Sequence, residues 1–140
     1  NRFSKVSSAV LGLWARILRS TPRSRLLLKD PAFEDASMRQ AARATLVEGG
    51  IEDDRIELRG RSSHKDHLAA YNDIDIAFDP FPHNGGASTW EALWMGCPVV
   101  AKLGDHAAGR LSAAILSSVG LGDWVAESDE AYLDRAVLGL

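Results

Sequence analysis

Residues 79–96, Asp-Pro-Phe-Pro-His-Asn-Gly-Gly-Ala-Ser-Thr-Trp-Glu-Ala-Leu-Trp-Met-Gly, constrain the fold more than any other stretch of this chain. An apolar run at residues 74–78 leads into them. The whole segment therefore reads as a short strand, a Pro/Gly-rich turn over 80–86, and a helix over 87–95 stopped by Gly96. A strand that passes through glycines into a helix leaves the first-turn N–H groups without intrahelical partners. The positive end of the helix dipole adds to their pull on an anion. Ser88 and Thr89 are good capping types whose hydroxyls could also reach a phosphate. Glu91 falls about one turn into the helix, near its mouth. The stretch reads as a nucleotide-phosphate site.

The rest of the chain supplies the same kind of unit. Residues 1–6 read as the end of a strand and a loop. Ser7 or Ser8 caps a helix to Ser20, with Val10, Leu13, Trp14, Ile17 and Leu18 on one face. Pro22 ends it, and Leu26–Leu28 form a short buried strand. Asp30-Pro31 is a helix-start signature, so a helix is expected within residues 32–48, stopped by Gly49-Gly50. Residues 55–58 alternate as a strand, and Ser63-x-x-Asp66 resembles a capping box opening a helix to Tyr71. Further strands are expected at 74–78, 98–101 and 124–125. Helices are expected at 107–119 and from Asp129, the latter capped by Ser128.

Short strands alternating with helices imply right-handed crossovers and a parallel sheet covered on both faces. The expected architecture is α/β, a doubly wound, Rossmann-like sheet lacking its first strand. Residues 1–140 fit a single domain with one core. The abrupt start at Asn1 suggests a fragment of something larger. A net charge of −3 with no dominant basic face argues against a nucleic-acid partner. No apolar run approaches the ~20 residues of a membrane span. The single Cys97 excludes an internal disulfide, so a cytoplasmic setting is the default.

Ligands of such sheets sit beyond the carboxyl ends of the strands, which directs attention to loops 1–5, 29–32, 60–67, 79–89 and 102–110. Lys5 could neutralise a phosphate there, or be a surface lysine. His64 and His67 share a helix face, but no further ligands at metal-binding spacing accompany them. His67 could stack on a planar base or cap its helix. Gly85-Gly86 followed by capping residues and Glu91 is neither a G-x-G-x-x-G fingerprint nor a P-loop. Gly104-Asp105-His106 and Arg110 could form a second rim turn. Trp14, Trp90 and Trp94 fall at helical spacing among aliphatics and are expected in the core. No nucleophile elbow is legible.

Three blocks resemble one family. They are Asn1-Arg2-Phe3-Ser4-Lys5, then Arg55-Ile56-x-x-Arg59-Gly60 with residues 64–67, and then residues 79–86 with Glu91-Ala92-Leu93-Trp94-Met95-Gly96-x-Pro98-Val99-Val100. In this order they resemble the O-linked N-acetylglucosamine transferases, including the bacterial and SPINDLY-like members. The resemblance implies the C-terminal, donor-binding lobe of a GT-B transferase.

By the same resemblance, Lys5 contacts the donor diphosphate and is the catalytic candidate. Asn1, Ser62, His64, His67, Gly85, Gly86, Ala87, Ser88 and Glu91 bind substrate. His67 lies beside the base, Ser62 to His64 meet base and ribose, 86–88 hold the diphosphate, and Glu91 holds the ribose hydroxyls. Gly86-Ala87-Ser88 replaces the His-Thr-Thr of the animal enzymes, His64 replaces a lysine and Ala70 an arginine, so both UDP and GDP donors stay open. The resemblance further implies inverting transfer from a nucleotide sugar such as UDP-GlcNAc to a protein Ser or Thr. No metal or other cofactor is implied; the partners are an N-terminal catalytic lobe and tetratricopeptide repeats. The competing readings are a nucleotide-binding or protein-interaction module without transferase activity, a GDP-sugar transferase, and an epimerase of GT-B architecture.

Overall fold

The computed structural model describes residues 2–139. The first full element, α1 (Ser8–Ser20), is capped by Ser7, whose Oγ accepts from Val10 N–H at 3.3 Å. Its stripe of Val10, Leu13, Trp14, Ile17 and Leu18 is buried as the periodicity requires. Strand β1 (Leu26–Lys29) follows. Asp30-Pro31 opens a 3-10 turn over Pro31–Glu34 rather than the long helix. That helix, α2 (Ala36–Glu48), starts one turn later, where the Asp35 carboxylate takes the N–H groups of both Ser37 and Met38.

Strand β2 (Ile56–Arg59) leads to α3 (His64–Ala69), where Ser63 Oγ accepts from Asp66 N–H at 3.1 Å and donates to the Asp66 carboxylate at 2.7 Å. Only half of the expected box is therefore formed: the shorter Asp66 carboxylate takes the Ser63 hydroxyl rather than reaching back to the Ser63 backbone N–H. There follow β3 (Ala77–Phe78), α4 (Ala87–Trp94), β4 (Val99–Lys102), α5 (Leu111–Ser118), β5 (Val125–Ala126) and α6 (Asp129–Leu138), the last capped by Ser128. Among the described residues no helix is long and apolar enough to cross a membrane.

Every strand pairing is parallel: β1 with β2, with Leu26 opposite Ile56, and β3–β4–β5 in that order. Side-chain alternation decides which layer covers which face. Phe78, Val100 and Ala126 face the cluster built with α1 and α6, and Ala77, Val99, Ala101 and Val125 face the one built with α4 and α5. The doubly wound architecture follows directly. The sheet is nevertheless in two parts. β1 and β3, which a complete doubly wound sheet would join through an intervening strand, do not pair. A cleft of about 370 Å³ separates them, with Trp14 and Leu18 of α1 in its lining.

Several expectations need correction. Residues 3–5 form a 3-10 turn, not a strand end, because Val6 N–H closes back on Phe3 O at 2.9 Å. Asn1 lies outside the described residues. The strand expected at 74–78 shortens to Ala77–Phe78, since only Ala77 and Asp79 N–H reach carbonyls of the β4 segment, at Pro98 and Val100. The helix expected over 107–119 breaks into a 3-10 turn, Ala107–Gly109, and α5. Gly109 packs there against Gly104 and the Pro82 carbonyl, an approach no Cβ would permit. Trp14 is buried, but Trp90 is 50% exposed and Trp94 86% exposed. α4 is short and turns Thr89 and Ala92 inward instead, so the tryptophans lie on its outer face.

Candidate functional site

The site is organised by Asp79, the residue that follows β3. Its carboxylate is 1% exposed and accepts from Gly85 N–H through Oδ1 at 2.7 Å. Its carbonyl accepts from Tyr132 Oη at 3.1 Å, and Tyr132 Oη in turn accepts from Trp14 Nε1 at 3.4 Å. Burial raises the Tyr132 phenol well above its ordinary range, so it remains a donor. The loop between strand and helix is thus pinned to α1 and α6. Asn84 adds two clamps, its N–H to Ala108 O at 2.9 Å and its Nδ2 to Pro80 O at 3.1 Å.

A hydroxyl pair holds the start of α4 from inside. Ser112 Oγ donates to Gly85 O at 3.1 Å and lies 2.8 Å from Thr89 Oγ1. Ser112 has one proton and spends it on Gly85, so Thr89 is the donor between the two hydroxyls. Thr89 is therefore an anchor rather than a cap. The cap position is Gly86, with no side-chain bond. The helix mouth is framed by backbone, as an anion site requires.

Lys5 reaches this mouth from the other end of the chain. Its Nζ donates to Asn84 O at 3.1 Å, which sets a half-buried ammonium beside the Gly85-Gly86 turn. On the adjoining side, His67 Nε2 and Glu91 Oε2 lie 3.1 Å apart. An ionised carboxylate only accepts, so His67 Nε2 donates. Tyr71 sets its ring edge-on to His67, with centroids 5.9 Å apart, and donates its hydroxyl to Ser88 O at 3.3 Å. Burial and the Glu91 charge push the Tyr71 phenol up to about 12, so it stays protonated at neutral pH. The rim therefore presents a cation, a backbone-framed helix start and a carboxylate–imidazole pair.

The model of glycosyl transferase family 41 matches residues 1–139. The chain belongs to that family. It is 38% identical over 138 residues to a protein of Arabidopsis thaliana named as a probable UDP-N-acetylglucosamine–peptide N-acetylglucosaminyltransferase, SPINDLY. That alignment covers 98% of this chain and 15% of the relative. The UDP-N-acetylglucosamine–peptide N-acetylglucosaminyltransferase of Caenorhabditis elegans is 27% identical over 98% of this chain and 12% of its own length. A mutant of the Thermobaculum terrenum O-GlcNAc transferase superposes with a TM-score of 0.96 at 39% identity, over 99% of this chain and 27% of the solved one. The chain thus spans about 15% of the length of the SPINDLY relatives it matches, and its fold is that of part of a GT-B lobe.

Within this family-41 lobe the expected site residues are distributed unevenly. Lys5, Gly86, Ala87 and Ser88 gather at the α4 mouth, with the His67–Glu91 pair next to them. Gly85 is buried, and both its N–H and its carbonyl are engaged by Asp79 and Ser112, so its part is to shape the turn. Ser62 and His64 are exposed at the start of α3, with Ser62 Oγ donating to Ser63 O at 3.2 Å. Arg110 is used inside its own loop, donating to Gly104 O at 3.0 Å. Sequence reasoning missed the internal scaffold of Asp79, Asn84, Thr89, Ser112 and Tyr132. An Asp closing an apolar strand before a Pro/Gly turn was the one available signal. Ser112 and Tyr132 carry none, since their partners lie 27 and 53 residues away.

Proposed function

We propose that this domain binds the nucleotide-sugar donor in a protein O-glycosyltransferase that moves a sugar, N-acetylglucosamine from UDP-GlcNAc, to Ser or Thr hydroxyls. The observation that carries the reading is the convergence of the Lys5 ammonium, from one end of the chain, on the backbone-framed start of α4. A diphosphate seated there would meet the amides of residues 86–88 and the Lys5 charge together. As the bond to the sugar breaks, negative charge grows on the leaving diphosphate, and groups fixed beforehand stabilise it without reorganising. One such donor contributes roughly 3 kcal/mol. Glu91 would accept from the ribose hydroxyls, with His67 beside the base; their mutual bond at 3.1 Å holds both side chains in place for this. The hydroxyl acceptor and the group that deprotonates it belong to other parts of the enzyme, with the N-terminal lobe completing the cleft.

Calorimetric titration with UDP and, separately, GDP tests the reading on the unaltered chain, Lys5→Ala and Glu91→Gln. We expect UDP to bind, with affinity falling about tenfold or more on loss of Lys5, the effect of ~1.4 kcal/mol or more. A preference for GDP would reassign the donor to a GDP-sugar. Absence of binding to the folded protein, or affinity indifferent to Lys5→Ala, would overturn the proposal.

A further inference from the structure

The layer formed by α4 and α5 differs from every other helical surface of the chain. Elsewhere the outward positions are charged, with Arg16 and Arg19 on α1, Arg39 and Glu48 on α2, and Glu130 and Asp134 on α6. The exposed positions of α4 are Ala87, Trp90 and Trp94. Those of α5 are Leu111, Ala114 and two serines, with exposed Val119 just past its end. Among the described residues no charged side chain is exposed on either helix; Glu91 of α4 turns to His67 of α3, at 3.1 Å. The two helices are direct neighbours. Thr89 meets Ser112 at 2.8 Å, and Leu111 packs over Gly86, its Cδ2 3.0 Å from where a Cβ would stand. Their outward positions therefore share one face.

Single exposed apolar side chains need no partner, but a contiguous uncharged face with two indoles marks an interaction surface. Trp94 and Trp90, 86% and 50% exposed, offer roughly 350 Å² between them, taking about 250 Å² for a whole side chain. Leu111 and Val119, 48% and 45% exposed, with the small residues beside them, bring the face to about 700 Å², against the ~800 Å² each partner gives to a standard interface. Tryptophan without charge is also the composition of an interface core.

The missing charge says which partner fits. In a two-fold contact the same patch meets itself, so a charge near the axis would face its like. An uncharged face escapes that cost and complements its own copy. A lipid surface fits less well, because helices that lie on lipid carry Lys and Arg on their polar side, and this chain has a net charge of −3.

We infer that the α4–α5 face is the contact surface of a two-fold homodimer, anchored by Trp90 and Trp94. It is distinct from the His67–Glu91 pair, which lies on the α3 side of α4.

An interface of this size and composition has a dissociation constant of ~10 µM or below. Sedimentation velocity over ~1–500 µM brackets that value. The mass is expected to rise from the 15.2 kDa of one chain to a plateau at two chains. Trp94→Glu should weaken the dimer ~30-fold or more, and Val119→Glu, on the α5 side, should weaken it in the same direction. Met38→Glu, at a 49% exposed apolar position on α2, should leave it unchanged. Thermal unfolding of each variant at the lowest concentration checks that the fold is kept. A chain that stays monomeric throughout, a mass that grows past two copies, or a dimer indifferent to both Trp94→Glu and Val119→Glu would overturn the inference. So would a monomer that instead binds neutral phosphatidylcholine vesicles through Trp94. None of these readouts involves nucleotide binding.

Discussion

The Thr89–Ser112–Gly85 relay invites a double-mutant cycle, because its proton directions are fixed. Ser112→Ala leaves the buried Gly85 carbonyl without its donor and Thr89 without its acceptor. Both side chains are buried, at 2% and 0% exposure, so water does not readily replace either partner. A buried unsatisfied polar group costs ~1–3 kcal/mol, and Thr89 can swing toward the freed Gly85 carbonyl one helical turn back, so we expect about 2 kcal/mol in all. Thr89→Val removes one bond but leaves Ser112 donating to Gly85, for about 1 kcal/mol. In the double variant only the Gly85 carbonyl is orphaned. Its cost should be about 2 kcal/mol, below the roughly 3 kcal/mol of the two single changes added together. Equilibrium urea unfolding with an unchanged m-value measures all three. Additivity within ~0.5 kcal/mol, or a larger loss from Thr89→Val than from Ser112→Ala, would refute the assigned proton order.

Two glycines should respond oppositely. A Cβ at Gly109 would lie 2.7 Å from Pro82 O, so Gly109→Ala should destabilise by ~1–3 kcal/mol in urea unfolding, by pushing apart loops 80–86 and 104–110. At Gly12, within α1, nothing lies within 4 Å of the added carbon, and Gly12→Ala should stabilise by about 0.5–1 kcal/mol. A third expectation concerns alkaline pH. The Tyr71 phenol is raised from 10.0 to about 12, so the fold favours its protonated form. Its contribution is complete below pH 10.0 and is lost as pH climbs toward about 12. Because the side chain is only partly buried, that contribution is at most ~1–2 kcal/mol after screening. Cys97, raised by burial to about 11, acts in an overlapping range, so the assay is unfolding against pH on Tyr71→Phe beside the unaltered chain. Identical pH profiles would refute the Tyr71 assignment.

Local chemistry wrote much of this architecture in the sequence. The caps at Ser7, Ser63 and Ser128 act within three residues of themselves, so reading them needs no knowledge of the fold. The apolar stripe of α1 and the strand–turn–helix order around Gly85-Gly86 are equally local, and they sufficed for a doubly wound sheet and for an α4 that opens on a glycine turn. Short-range competition defeated the reading at Asp30, where a nearby second Asp offered a better cap.

What only the tertiary structure decided depends on groups far apart in the chain. Trp90 and Trp94 have the spacing of core residues, but which face of a short helix turns inward depends on the partners offered by α5. Ser112 meets Thr89 there, and the tryptophans are left outside. Lys5 becomes part of a site only because the chain folds it against Asn84, a contact spanning 79 residues. The division of the sheet belongs to the same class, since strand pairing is set by neighbours in space. The sequence by itself thus determined the alternation of strands and helices, the serine caps and the glycine turn ahead of α4, because those depend on backbone geometry over a few residues. Tertiary structure alone decided which side chains meet at the rim, since each such meeting requires distant segments to pack.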